Sequence, residues 1–405
     1  MMRIAIVTTH PPGTGSLNEY GYHFVRFLRT KTHDVAEIIL LLDELPDGQP
    51  YNFEAGPDLV PVQAVVCWKF GAWDNALRIR RAVRQAKPDI VLFNIQFASF
   101  AGSKAAAALG LLGPWMVKAA GYRTTVLLHN IMETVNLQQA GFGSNRLMET
   151  AIRTFGNIVT RLLLQADLVA VTIPKYVEIL ESKYAAKNVL LAPHGSFEEA
   201  REATPAALPP GPPTLMTFGK FGTYKKVEIL VEAFRLLLPD HPEARLVIAG
   251  TDNPNVKGYL DGVRQSYADV PNITFTGYVA EEDVPKIFGD AWVVVFPYTS
   301  TTGSSGVLHQ AGSFGKAVVL PKLGDLEELV IEEGYDGEFF EPDNPHSLAD
   351  AIRRVIDDPE RMLEIGSRNY LAANGLPITE VVDWYLIHFG ELLRQGQGRS
   401  APGSG

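Results

Sequence analysis

Two lysines, Lys220 and Lys225, stand five positions apart in FGKFGTYKKVEIL, the first past an apolar run and the second just before a helical one. That spacing lets both ammonium groups converge on a diphosphate. A second stretch suited to the same anion is WVVVFPYTSTTGSSGVLHQAGSFGKAVVLP, from Trp292 to Pro321. Val293 to Phe296 and Ala317 to Leu320 read as strands buried on both faces, and Pro297 stops the first. Val307 to Phe314 reads as a short helix with Gly315 as its C-terminal glycine. Small residues lead into that helix: Thr302, Gly303, Ser304, Ser305 and Gly306. Their backbone N–H groups and the helix dipole suit a phosphate. A polar turn between strand and helix with no ligand would look the same, and lysines before a helix are usually solvated. No His, Asp and Glu set has metal-ligand spacing, so no metal and no other cofactor is expected.

These residues need a scaffold, and the chain supplies alternating strands and helices. RIAIVTT, Val35 to Leu42, DIVLFNI, TTVLLHN, Leu168 to Thr172 and Asn188 to Ala192 read as strands, with helical patterns such as Leu147 to Gln165 between them. EEAREATPAALPPGPP is a connector without a core pattern. A second series begins at Thr214 with LMTFG, ARLVIAG, Asn272 to Thr276, Trp292 to Phe296 and Ala317 to Leu320. The fold class is therefore α/β, with two doubly wound, Rossmann-like domains expected at 1–196 and 212–375. Ligands of such folds bind beyond the C-terminal ends of the strands, and two such domains would place them in a cleft. Pro377 to Leu393 repeats apolar residues at helical spacing, giving a terminal helix over 376–395 and a disordered tail over 396–405.

Composition narrows the partners. The 405 residues are 46% hydrophobic and 20% charged, as in a globular protein with sizeable cores. Residues 1–200 hold 19 Lys and Arg against 17 Asp and Glu, whereas residues 201–405 hold 17 against 29. A net charge of −10, concentrated in the second half, argues against nucleic acid. The single cysteine, Cys67, and a strand starting almost at Met1 fit a cytoplasmic protein without a signal peptide. The Ala/Leu-rich stretch from Phe100 to Ala120 is interrupted by Lys104, Gly113-Pro114 and Lys118, so it is too short to span a bilayer. Arg78, Arg80, Arg81, Arg84 and Lys87 read as a solvated helix face, with peripheral contact to an anionic inner membrane face as the alternative.

The first loop, HPPGTGSLN, departs from a dinucleotide fingerprint, because Asn18 stands where the third glycine belongs. Taken in order, the pieces FGKFGTYKK, VIAGTDN, ITFTGYV, the Trp292 to Pro321 stretch, GDLEELV and GEFFEPDNPHSLADAI resemble the C-terminal domain of the retaining, family-four glycosyltransferases of the GT-B fold. LLHN and the PHG turn agree with the N-terminal half of that family. The resemblance implies transfer of a hexosyl group from a nucleotide-diphosphate sugar, UDP- or GDP-linked, to an acceptor hydroxyl of a saccharide or lipid-linked glycan, as in glycan, glycolipid or polysaccharide biosynthesis. It also implies that Lys220, Lys225 and His129 serve catalysis and that Gly15, Thr302, Gly303, Ser304, Ser305, Gly306 and Gln310 bind the donor. His194 and His309 are less defined by it. The last helix should cross back onto the first domain through Trp384 or Phe389.

One departure bears on activity. Registered on Gly315-Lys316, the two family glutamates fall on Thr302 and Gln310, and the second loop glycine falls on Ser305. Gln310 keeps an amide for a ribose hydroxyl, whereas Thr302 brings no carboxylate to the sugar. Two alternatives follow. One is a sugar-nucleotide-binding partner subunit without catalysis, which any transfer of sugar would remove. The other is a GT-B-like sugar-nucleotide epimerase, which needs cleft carboxylates for acid/base work and would isomerise UDP-N-acetylglucosamine alone.

Overall fold

The computed structural model describes residues 1–13, 15–45, 48–134, 146–197, 208–253, 256–300 and 305–398, with backbone alone at 146–152, 281, 325 and 396–398. The chain forms two compact units, Met1–His194 with Ile378–Gly405, and Gly195–Pro377.

The first unit runs β1 (Met2–Val7), α1 (Asn18–Leu28), β2 (Val35–Asp43), β3 (Val62–Trp68), α2 (Asn75–Ala86), β4 (Ile90–Ile95), α3 (Lys104–Gly110), α4 (Gly113–Ala119) and β5 (Arg123–Leu128). It continues through α5 (Arg146–Leu163), β6 (Leu168–Val171), α6 (Pro174–Tyr184) and β7 (Val189–Leu191). Its described strands form one parallel sheet in the order β3-β2-β1-β4-β5-β6-β7. β4 is buried at every position, as a strand covered on both faces by helices must be. β3 is a strand that the apolar runs do not mark. It lies at the sheet edge, where half its side chains meet solvent, so its sequence carries no continuous apolar signal.

The second unit runs β8 (Thr214–Phe221), α7 (Val227–Leu237), β9 (Arg245–Asp252), α8 (Tyr259–Ser266), β10 (Ile273–Gly277), α9 (Val284–Asp290), β11 (Val293–Val295) and α10 (Gly306–Ser313). Then come β12 (Ala317–Pro321), α11 (Gly324–Glu332), β13 (Glu338–Phe340), α12 (Pro345–Ile356) and α13 (Pro359–Asn374). Its parallel sheet has the order β10-β9-β8-β11-β12-β13. In both sheets the order reverses once, between β1 and β4 and between β8 and β11, and those reversal points open the crevices where α/β sheets take ligands. Leu230, Val231, Phe234 and Leu237 of α7 pack with Leu348, Ile352 and Val355 of α12 in one buried core.

Helix α14 (Ile378–Gly398) belongs to the first unit and packs on α1. Tyr385 meets Phe24 edge-to-face at 5.4 Å, and Lys31 pairs with Asp383 at 2.5 Å. Phe389 is buried beside Tyr385 at 5.7 Å, whereas Trp384 stays half-buried against His388 at 4.1 Å. The helix outruns the expected end at 395, and of the expected disordered tail residues 399–405 lie outside the described residues. Residues 100–120 form the two short helices α3 and α4, and among the described residues no helix is long and apolar enough to cross a membrane.

Buried polar groups fix α13 to β12. The Asn369 amide donates to the Lys316 carbonyl at 3.0 Å and accepts from the Asp336 N–H at 2.8 Å. The buried Lys316 ammonium donates to the Gly289 and Ala291 carbonyls, each at 2.9 Å, and burial lowers its pKa to about 8. Asn369 is fully buried, so Asn369→Ala leaves two backbone groups unsatisfied and should destabilise the protein by about 2–3 kcal/mol. Urea unfolding monitored by circular dichroism reads that loss directly.

Candidate active site

The β8-to-α7 turn is set by two glycines and one aromatic ring. Gly219 has φ 132°, and a Cβ there would stand 2.8 Å from the Lys225 ammonium nitrogen. Gly250, its neighbour across the sheet, is closer still, since a Cβ there would meet the Gly219 carbonyl oxygen at 1.9 Å. Only glycines let β8 and β9 come together here while Lys225 folds back over β8. Lys220 lies inside β8, paired with Thr251 of β9, rather than past the strand end as expected. The apolar run stops at Phe218-Gly219, but the ladder carries pairing through Phe221.

Backbone pairing then joins this turn to the segment leaving β11. The Lys226 N–H donates to the Pro297 carbonyl at 2.9 Å, the Thr299 N–H to the Tyr224 carbonyl at 2.8 Å, and Lys225 bridges Tyr298 in antiparallel fashion. The half-buried Lys225 ammonium sits 4.8 Å above the Tyr298 ring and 6.0 Å from the Tyr224 ring. A cation over an aromatic face is held at the cost of little motion and contributes about 0.5–2 kcal/mol. Tyr298 is buried, and Ser305, the residue capping α10, faces its hydroxyl without a full hydrogen bond. One tyrosine thus touches both halves of the expected diphosphate site.

Of the loop residues singled out from sequence, Thr302, Gly303 and Ser304 lie outside the described residues, as does Thr14. Ser305 and Gly306 begin α10, whose first N–H groups point out of the turn. Gly315 ends the segment with φ 61°, its N–H donating to the Gly312 carbonyl at 2.7 Å, as a C-terminal glycine does. Gln310, on the same helix, is 1% exposed. Behind it, His309 Nδ1 lies 2.9 Å from the Tyr335 hydroxyl and 3.6 Å from a Glu333 carboxylate oxygen. Burial, with a smaller push from Glu332, raises the Glu333 pKa to about 8, so the carboxyl is mostly protonated at neutral pH. The contact with His309 is therefore not an ion pair there.

In the first unit a polar chain crosses the reversal point. Asn94 of β4 donates to Thr8 Oγ1 at 2.9 Å and takes His129 Nε2 on its amide oxygen at 2.7 Å. His129, just beyond β5, must then be the Nε2–H tautomer, leaving Nδ1 as an acceptor. Tyr20 meets the rings of His129 and His194 edge-on at 4.7 and 4.9 Å. Burial, helped by the charge of His194, lowers the His129 pKa to about 3. Gly15 lies against Thr9 so closely that a Cβ would fall 2.5 Å from its side chain. Asn18, which replaces a fingerprint glycine, opens α1 and donates to the Gly13 carbonyl, holding the loop. Sequence reasoning missed Tyr298, Tyr224 and Asn94. A tyrosine directly after the strand-ending Pro297, and an asparagine inside an otherwise apolar strand, were the available signals. Among the described residues no three His, Cys, Asp or Glu side chains are grouped to hold a metal.

Comparisons with known proteins bear on this arrangement. Residues 212–358 match the family described as glycosyl transferases group 1. A putative glycosyltransferase of Bacillus subtilis, YtcC, is 29% identical over 151 residues, which are 36% of this chain and 36% of YtcC. The match therefore covers about a third of that relative's length. Sucrose-phosphate synthase from Thermosynechococcus elongatus has the same fold over 99% of this chain and all of its own, with a TM-score of 0.74 at 18% identity. Anabaena HepE, solved in complex with UDP and glucose, superposes over 96% of this chain and all of its own with a TM-score of 0.66 at 16% identity. The fold is GT-B.

The buried Glu333 gives the second unit a pH dependence. Its folded pKa lies above the unfolded value, so the folded state holds a proton that the unfolded state releases from about pH 4.5 upward. Stability should fall by up to about 1.4 kcal/mol per pH unit until the pH passes about 8. Glu333→Gln should flatten that fall, as thermal melts between these limits will show.

Proposed function

We propose that this chain, whose residues 212–358 match the group 1 glycosyltransferases, transfers a hexosyl group from a nucleoside-diphosphate sugar to an acceptor hydroxyl with retention of configuration. The observation that carries this reading is the Lys225 ammonium, fixed on Tyr298 beside the start of α10. A cation and a row of helix-terminal N–H groups complement the charge that grows on a departing diphosphate. Lys220, from the adjacent strand, would add a second cation. The bond from the anomeric carbon to the diphosphate oxygen breaks, and the acceptor oxygen bonds to the same face. The acceptor proton passes to the departing phosphate, so no enzyme nucleophile and no metal is assigned a step. The protein positions the groups and stabilises charge.

His129 takes part as a neutral group. With its pKa near 3 it stays uncharged above that value, so it accepts a hydrogen bond at Nδ1 and supplies no positive charge. Gly15 brings loop backbone to the same crevice. Gln310 and residues 302–304 complete the donor site in this reading. The donor carries UDP or GDP, a reading that HepE's UDP complex supports by fold alone. The acceptor is a saccharide or lipid-linked glycan in polysaccharide or glycolipid assembly, and a lipid-linked acceptor would bring a cytoplasmic chain to the inner membrane face. Thr302 and Gln310, in place of two carboxylates, favour the partner-subunit reading. Nucleotide binding with no sugar transferred to any acceptor or to water would establish it instead.

The test is a panel of nucleotide sugars and acceptors, read by release of nucleoside diphosphate and by the anomeric configuration of the product. Lys225→Ala should lower kcat/KM by about 2–4 kcal/mol of transition-state stabilisation, roughly thirtyfold to a thousandfold, with the fold kept. Unaltered turnover removes Lys225 from the site. The pH–rate profile should show no limb near pH 6.5 from His129, because that group has already lost its proton.

A further inference from the structure

The first domain displays apolar side chains that nothing in its own fold covers. Phe70 and Trp73, in the turn between β3 and α2, are 55% and 65% exposed, and Leu77, on the first turn of α2, is 56% exposed. Trp115, on the neighbouring α4, is 42% exposed. These groups are not loose. Asn75 accepts from the Lys69 N–H at 3.0 Å and donates to the Lys69 carbonyl at 2.8 Å, clamping the turn to the start of α2. The Gly71 N–H donates to the Phe100 carbonyl at 2.8 Å. The turn thus holds two aromatic rings toward solvent.

The charge on the same surface has a definite sign. Along α2, Ala76, Ile79 and Val83 face the core, so Leu77, Arg81 and Arg84 line the outer side with Arg80 at its margin. Arg78 is held by Asp74 at 2.8 Å and by Glu44 at 3.2 Å. Among the described residues Arg80, Arg81 and Arg84 form no salt bridge, and Arg81 acts on Asp74 only at longer range. Three guanidinium groups beside exposed tryptophan and leucine, in a chain of net charge −10, form a local exception to its charge balance.

We propose that this surface docks on an anionic lipid bilayer, with Phe70, Trp73 and Leu77 entering the headgroup boundary and the arginines meeting lipid phosphates. An apolar row flanked by arginines is the arrangement an interfacial helix uses, and tryptophan favours that depth. The inference deepens the lipid-linked reading of the acceptor, yet its test needs no transfer.

Full-length protein is floated with phosphatidylcholine vesicles, with and without phosphatidylglycerol. Binding should require the anionic lipid and fall at high salt. Arg80→Glu, Arg81→Glu and Arg84→Glu combined should weaken it about a hundredfold. Phe70→Ser with Trp73→Ser should weaken it too, and Trp73→Leu should lose tryptophan quenching by brominated lipid. Thermal stabilisation by UDP or GDP, unchanged in these variants, shows that the fold and donor site persist. Equal binding to neutral vesicles, no binding, or binding that the variants leave intact overturns the proposal. So does a dimer, or a nucleic-acid complex, that depends on the patch while vesicles go unbound.

Discussion

The pairing of Tyr224 to Lys226 with Pro297 to Thr299 is the interaction on which the placement of Lys225 depends. Two backbone hydrogen bonds, of 2.9 and 2.8 Å, tie the exit of β8 to the exit of β11 across the reversal of strand order. Without them Lys225 would sit on a free turn, its four-carbon stem sampling many rotamers. With them the ammonium rests on the Tyr298 ring, and the cost of ordering the side chain is met on folding. Gly219 and Gly250 are the steric condition for this arrangement, since a methyl group at either would meet the lysine or the neighbouring strand.

The first domain solves the equivalent problem with a neutral chain of hydrogen bonds. Asn94 lies in β4, and Thr8 and His129 follow directly on the neighbouring strands β1 and β5, each satisfying the next. A buried polar network is favourable when its donors and acceptors are matched, and the Nε2–H tautomer of His129 makes that match. Because the ring stays neutral, the crevice presents a hydrogen-bond acceptor at Nδ1 and no charge from this group.

Lys316, which with Gly315 marks the register of the loop in sequence, turns out to brace the fold. In the structure its ammonium is turned inward onto two carbonyls, and burial depresses its pKa. Asn369 braces the same corner from α13. Together the two residues hold the start of β12 against α9 and α13.

The sequence by itself determined the α/β class and both sheets' buried strands, because apolar runs between helical patterns admit few other folds. It also determined Gly315 as a helix end and the terminal helix as a stripe in need of a partner. β3 and β13 escaped it: β3 is an edge strand half open to solvent, and β13 is only three residues long. Lys225 was legible as a candidate cation, since two lysines stand between a strand and a helix. Its partner Tyr298 was not, since the two are far apart in sequence and only the parallel sheet brings β8 beside β11. The neutrality of His129 and Glu333 likewise follows from burial, which no residue type announces. Residue types and local spacing set which groups could act. Tertiary packing decided which of them carry charge and which meet, because desolvation and long-range contacts exist only in the folded chain.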